Sequence, residues 1–204
     1  MNRKARKPAD VFLSHAAVDA AVAEAVVRHF EAAGLVVFPA AGLGGDAGQA
    51  AAVREGLRES AAFVALLTPS LARSDSLTIE VGAAWMGAIP IYLLLSDIGK
   101  AEVPAYLRRY KAVPLWAGLD ALIDEVRRLA EPLAEGDRAA LAAAYRDVGV
   151  SSDRLISTPA ARERLAEAFG ERTGRSLPTH RLVRELLHLR KARKLPRFGR
   201  KAVG

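Results

Sequence analysis

From Asp10 onward, short apolar runs alternate with longer stretches whose apolar positions recur every three or four residues. Switching between these two periods builds right-handed βαβ units, and therefore a parallel sheet covered on both faces. DVFLS, LVVFP, FVALLT, IPIYLLL and a weaker AVPLW read as five strands. Between the first two, residues 19–33 place Val22, Ala25, Val26, Phe30 and Ala33 at helical spacing, and Gly34 supplies a C-terminal stop. Residues 49–60 read as the second helix, the segment around Glu80 as the beginning of the third, and residues 120–129 as the last of the set.

The β pattern ends at Pro132 and the run AEGDR. Three helical segments follow, near residues 138–147, 159–170 and 179–192, the second opened by the cap signature Thr158-Pro159. The pattern thus predicts an α/β domain over residues 8–131 and a small α-helical extension over residues 137–204. In the last helix, Leu182, Val183, Leu186 and Leu189 share one face, with Arg181, Arg184, His188 and Lys191 largely on another. With the preceding helix and the TGRS turn, this segment reads as a candidate helix-turn-helix.

Charge sharpens this division. The net charge is +7, yet Arg3, Lys4, Arg6 and Lys7 crowd the start, and residues 172–204 carry eleven Lys or Arg against the single acid Glu185. The body between them is acidic. Basic ends on an acidic globule suit a phosphate-bearing or acidic partner, with Arg190, Lys191, Arg193, Lys194, Arg197, Arg200 and Lys201 as the contacts. Nucleic acid, a protein partner and a merely solvated tail all stay open on this reading.

Several classes fall away. The chain has no cysteine, so disulfides, thiolate catalysis and cysteine-held metal are excluded. The longest apolar stretch, residues 81–95, is too short to span a bilayer and is broken by Gly82, Gly87 and Pro90. The basic start is not followed by a secretory h-region, and the lack of cysteine fits a reducing cytoplasm, the expected location. No HExxH or comparable spacing occurs, so no metal site is expected; the missing G-x-S-x-G elbow disfavours a hydrolase triad, and the missing Walker loop disfavours ATP or GTP hydrolysis of that class. The GLGGDAG loop satisfies G-x-G-x-x-A through Gly42, Gly44 and Ala47, but it follows the second strand and no acid ends FVALLT. A flexible surface loop is the better reading.

Glu80 is the residue that the apolar pattern does not explain. It stands between two buried-strand patterns, near the crevice outside the carboxyl ends of the strands where α/β sheets take ligands. Two readings are open: a ligand-facing carboxylate, or a first-turn acid that complements the helix dipole by roughly 0.3–1 kcal/mol. Ser14 and His15 end the first strand at the same carboxyl edge. Trp85, about 140° around the helix from Glu80, reads as core.

In order, DVFLSHAAVD with its acid Asp19, the GLGGDAG loop, ALLTPSLARS and the glutamate leading into GAAWMGAIPIYLLL resemble a bacterial TIR (Toll/interleukin-1 receptor) domain. The resemblance implies a flavodoxin-like five-stranded parallel sheet and, as in many bacterial members, cleavage of the nicotinamide–ribose bond of NAD+, a substrate rather than a bound cofactor. It implies that Glu80 is the catalytic residue, that Phe12, Ser14 and His15 border the nucleotide with Ser76 among the substrate contacts, and that residues 42–46 match a mobile loop that gates the site or joins neighbouring subunits, with Gly44, Gly45 and Asp46 as its substrate contacts. Ser76 occupies the place where the family commonly has a tryptophan, four residues before the glutamate. Activation by self-association in a defence or stress response is implied too. Two alternatives stay open: a noncatalytic TIR interaction module and a nucleoside deoxyribosyltransferase-like enzyme.

Overall fold

The computed structural model of the chain describes residues 9–41, 47–192 and 195. They divide into two compact units, one ending at Ala130 and the other beginning at Glu131. Among the described residues no helix is long and apolar enough to cross a membrane.

The first unit is a five-stranded parallel sheet of β1 (Val11–His15), β2 (Val37–Ala41), β3 (Ala62–Leu67), β4 (Ile91–Leu95) and β5 (Lys111–Pro114), in the order β2-β1-β3-β4-β5. The five parallel strands are those expected from the apolar pattern, and their order is the flavodoxin-like one that the resemblance implied. Both strand prolines, Pro39 and Pro114, fall on the two edge strands, where the lost N–H is tolerated. Side chains alternate across the sheet. Val11 and Leu13 join one core with α1 (Ala20–Ala32) and α5 (Asp120–Ala130), through Val26, Phe30, Leu122 and Val126. Phe12 enters the other, with α2 (Ala47–Glu59), α3 (Pro69–Ala72) and α4 (Asp75–Met86), through Leu57, Leu71, Leu77, Val81 and Ala84.

Gly34 does end α1, with φ +82. The reading after β3 needs correction. Thr68 accepts a hydrogen bond from the Leu71 amide and, with Pro69 behind it, caps the short helix α3. The chain then restarts α4 at Asp75, five residues before Glu80. Glu80 therefore lies inside the helix rather than at its beginning.

On the same face, Phe12 stacks between Phe38 and Phe63, with ring centroids 5.4 and 5.6 Å away. Gly56 of α2 lies against the Phe38 ring, and a Cβ there would stand 2.9 Å from it. Helix and ring meet because that methyl is missing. Gly56→Ala is expected to destabilise the unit by about 1–2 kcal/mol in denaturant unfolding, since overpacking outweighs the helix propensity that alanine adds. A stability within 0.5 kcal/mol of the parent would show that the ring yields freely.

The second unit comprises α6 (Glu135–Val148), α7 (Ser152–Ser157), α8 (Pro159–Thr173) and α9 (Thr179–Lys191). Its core gathers Leu133, Leu141, Tyr145, Leu155, Leu165, Phe169, Leu182 and Leu186. Helix α7, absent from the sequence reading, is one and a half turns long and starts where Ser151 accepts from the Arg154 amide. So short a helix has no apolar period to detect.

The two-faced reading of α9 is corrected as well. Arg184 and Glu185 are buried, the latter accepting from Arg138 Nε at 2.6 Å, and only Arg190 and Lys191 of the helix are exposed. A recognition helix needs an open face to enter a groove; on α9 that face is narrowed to the exposed Arg190 and Lys191 with the half-buried Val183 and Leu187 among the described residues. Part of the positive charge is matched within the unit: Arg172 pairs with Asp147, Arg175 with Asp137 and Arg190 with Asp153. The expected contacts Arg193, Lys194, Arg197, Arg200 and Lys201 lie outside the described residues, as do Gly44, Gly45 and Asp46.

Candidate active site

The site begins with the pleat of β1. Because Phe12 points into the α2–α4 core, Ser14, two residues on, leaves the strand on the same face at its carboxyl end. Helix α4 packs on that face through Leu77, Val81 and Ala84, and Glu80 lies on the same inward side of the helix. The two side chains meet: the Ser14 hydroxyl donates to Glu80 Oε2. Glu80 is 1% exposed and Ser14 fully buried. The other carboxylate oxygen, Oε1, is buried with no hydrogen-bond partner among the described residues.

Such burial is unusual for a carboxylate and it moves the group's titration. Loss of water pushes the Glu80 pKa up to about 6, against the opposing pull of the Ser14 hydrogen bond. The helix-dipole account of Glu80 fails on position, since the first-turn acid is Asp75 and the dipole acts only within the first turn. What remains is a carboxylate held in an apolar interface and ionised near neutral pH.

β1 and β3 are adjacent, with the β1–β2 and β3–β4 connections leading to opposite sides, so their carboxyl ends form the switch point where open α/β sheets take ligands. Across it, Thr68 after β3 donates to the Asp19 carboxylate at 2.6 Å while also capping α3. Asp19 was legible only as part of the opening box, and Thr68 was read as the last residue of a strand. The readable signal for Thr68 was its place directly before Pro69, a helix-start signature.

The other expected residues separate. Ser76 stands one turn before Glu80 on the same side of α4, half-buried, its Oγ 2.7 Å from Ser74 Oγ. His15 is buried, but the pleat turns it to the face opposite Ser14, where its Nδ1 has no partner among the described residues. Phe12 reaches no surface; its ring is wholly within the aromatic stack beneath Ser14. Trp85, expected in the core, is 59% exposed, with Ile79 and Met86 exposed beside it on the outer side of α4. Glu80 and its neighbours take the inward side, so the opposed tryptophan is turned out. Among the described residues no three of His, Cys, Asp or Glu gather to hold a metal.

A raised acid pKa favours folding where the group is protonated, and that contribution is lost as pH rises from 4.5 through about 6. Glu80→Gln removes the penalty. At pH 8 the variant is expected to be more stable than the parent by about 1–2 kcal/mol, with the difference vanishing near pH 4.5 in urea titrations. An equal stability difference at both pH values would mean that the carboxylate is not desolvated.

Comparison with protein families places a TIR domain over residues 11–130, which spans all five strands and contains Ser14, Asp19, Thr68, Ser76 and Glu80. A search of curated proteins finds no match.

Proposed function

The chain belongs to the TIR-domain family, and from that premise we propose that its first unit cleaves the nicotinamide–ribose bond of NAD+ with Glu80 as the catalytic carboxylate. The observation that carries this reading is the buried Glu80 carboxylate, held by Ser14 on one oxygen and without a partner among the described residues on the other, at the carboxyl end of β1. A functional role explains a buried unpaired oxygen better than packing does, since an unmet polar atom weakens a fold.

The chemistry follows from the charge. Breaking the glycosidic bond sends the bonding pair to nicotinamide, which leaves as a neutral base, and positive charge develops on the ribose. A fixed carboxylate stabilises that charge most where water is excluded, and its free oxygen can accept from a ribose hydroxyl. Water then attacks the anomeric carbon to give ADP-ribose, or an internal nucleophile closes a cyclic isomer. No general acid is required. Only the ionised form serves, so turnover rises with pH through a limb centred near 6.

Assembly is the second part of the reading. Helix α4 is apolar around most of its circumference, and Ile79, Trp85 and Met86 face outward. Apolar side chains clustered on one exposed helix face suit association, and they also support the alternative of a noncatalytic interaction module, as does Ser76 where the family commonly has tryptophan. The basic segment from Arg190 to Lys201 would then engage an acidic or phosphate-bearing partner, and NAD+ loss would serve as a defence or stress output.

Purified protein, dilute and concentrated, is expected to release nicotinamide from NAD+ by chromatography, with Glu80→Ala lowering the rate at least about a hundredfold. No release in any state favours the interaction module, and turnover of nucleosides but not NAD+ favours a transferase. Trp85→Glu is expected to leave the melting temperature within a few degrees, to shift sedimentation toward the monomer, and to lower turnover at equal protein concentration. Unchanged sedimentation would remove α4 from the interface.

A further inference from the structure

We infer that Ser14 is the positioning residue of this site: its hydroxyl fixes one oxygen of the Glu80 carboxylate, and so aims the other at substrate. The inference rests on the catalytic reading of Glu80 and adds a task for a side chain expected only to border the nucleotide.

The terminal torsion of a glutamate is broad, so a buried carboxylate with no donor has no defined aim. Ser14 Oγ is the one donor to Glu80 among the described residues. It is a stiff mount. The side chain has a single heavy-atom torsion, it is fully buried, and β1 is paired on both sides, with Ser14 in register with Ala40 of β2 and Ala65 of β3. Glu80 is anchored as firmly from its own side by Leu77, Val81 and Ala84. The carboxylate therefore spans two rigid elements and has little room to turn.

The bond also selects a protonation state. An ionised carboxylate only accepts, which suits a hydroxyl donor. If Glu80 were protonated on Oε1, a buried O–H would lack an acceptor among the described residues. Ser14 thus favours the charged form against the desolvation that opposes it, in agreement with the direction in which it moves the pKa. Removing the hydroxyl should free the carboxylate to rotate and let desolvation raise its pKa further.

The test reads Glu80 directly in the full chain. With glutamate labelled by 13C at the carboxyl carbon, the Glu80 resonance is the one lost in Glu80→Gln, and its midpoint is followed by NMR. The parent midpoint is expected near 6. Ser14→Ala should raise it by about one unit, Ser14→Cys, a weaker donor of similar size, by less, and Ser14→Thr, which keeps the hydroxyl, should hold it close to the parent. Should the alanine variant fail to fold, the cysteine variant carries the test. In NAD+ turnover the acid limb should move with the NMR midpoint, and kcat should fall more than KM rises.

A midpoint that stays within about 0.2 units in Ser14→Ala or Ser14→Cys overturns the inference. A midpoint that moves in protein without NAD+ turnover keeps Ser14 as the residue that fixes the Glu80 carboxylate and discards the glycohydrolase reading. Turnover with an unmoved midpoint does the reverse.

Discussion

A carboxylate placed between an apolar helix and an apolar sheet is hard to ionise unless something donates to it. The α2–α4 face of the first unit is arranged around that constraint. The pleat of β1 brings Ser14 to this face, α4 brings Glu80, and their hydrogen bond is the polar link in an interface otherwise made by Phe12, Leu77, Val81 and Ala84. Around it the packing is tight: the Phe12–Phe38–Phe63 stack fills the space beneath Ser14, and α2 reaches Phe38 only because Gly56 lacks a side chain. Chemistry and packing therefore compete within a few ångströms, and the raised pKa of Glu80 is the measure of that competition.

Much of the fold was legible because buried parallel strands leave the same signature wherever they occur. The strand segments FVALL and IYLLL are apolar throughout because both faces are covered. The start of α4 was not legible. SDSLTIE is rich in residues that serve equally well as caps, turns and first-turn helix positions, and choosing among them takes the contact of Leu77 with the core. Trp85 was read as core because a large aromatic side chain usually packs inside; Glu80 takes the buried side of the helix instead, and Trp85 is outside.

Ser14 and His15 illustrate the same limit at a strand end. Sequence position places both at the carboxyl edge, and their adjacency suggests one site. Period-two alternation separates them, leaving Ser14 with Glu80 and His15 on the α1–α5 side. In the helical unit the mistake has a different source. Arg184 and Glu185 look like a solvent face because charged residues are seldom buried, but Glu185 has a partner, Arg138, 47 residues away in sequence. A pairing at that distance has no local trace in the sequence.

The placement of α4 also bears on how assembly and catalysis could be joined. One side of the helix carries Glu80, and the other carries Ile79, Trp85 and Met86. Helix packing moves as a unit, so a partner that shifts α4 by pressing on its outer side shifts the carboxylate by a similar amount. A hydrogen bond is directional and weakens steeply once its angle falls below about 120°, whereas the apolar contacts of Leu77 and Val81 have no preferred direction. On the proposed function, the Ser14–Glu80 bond is therefore the part of the interface most sensitive to association. It is short in reach, fixed on the β1 side by strands on both flanks, and attached on the other side to a helix that carries Ile79, Trp85 and Met86 exposed on its outer face.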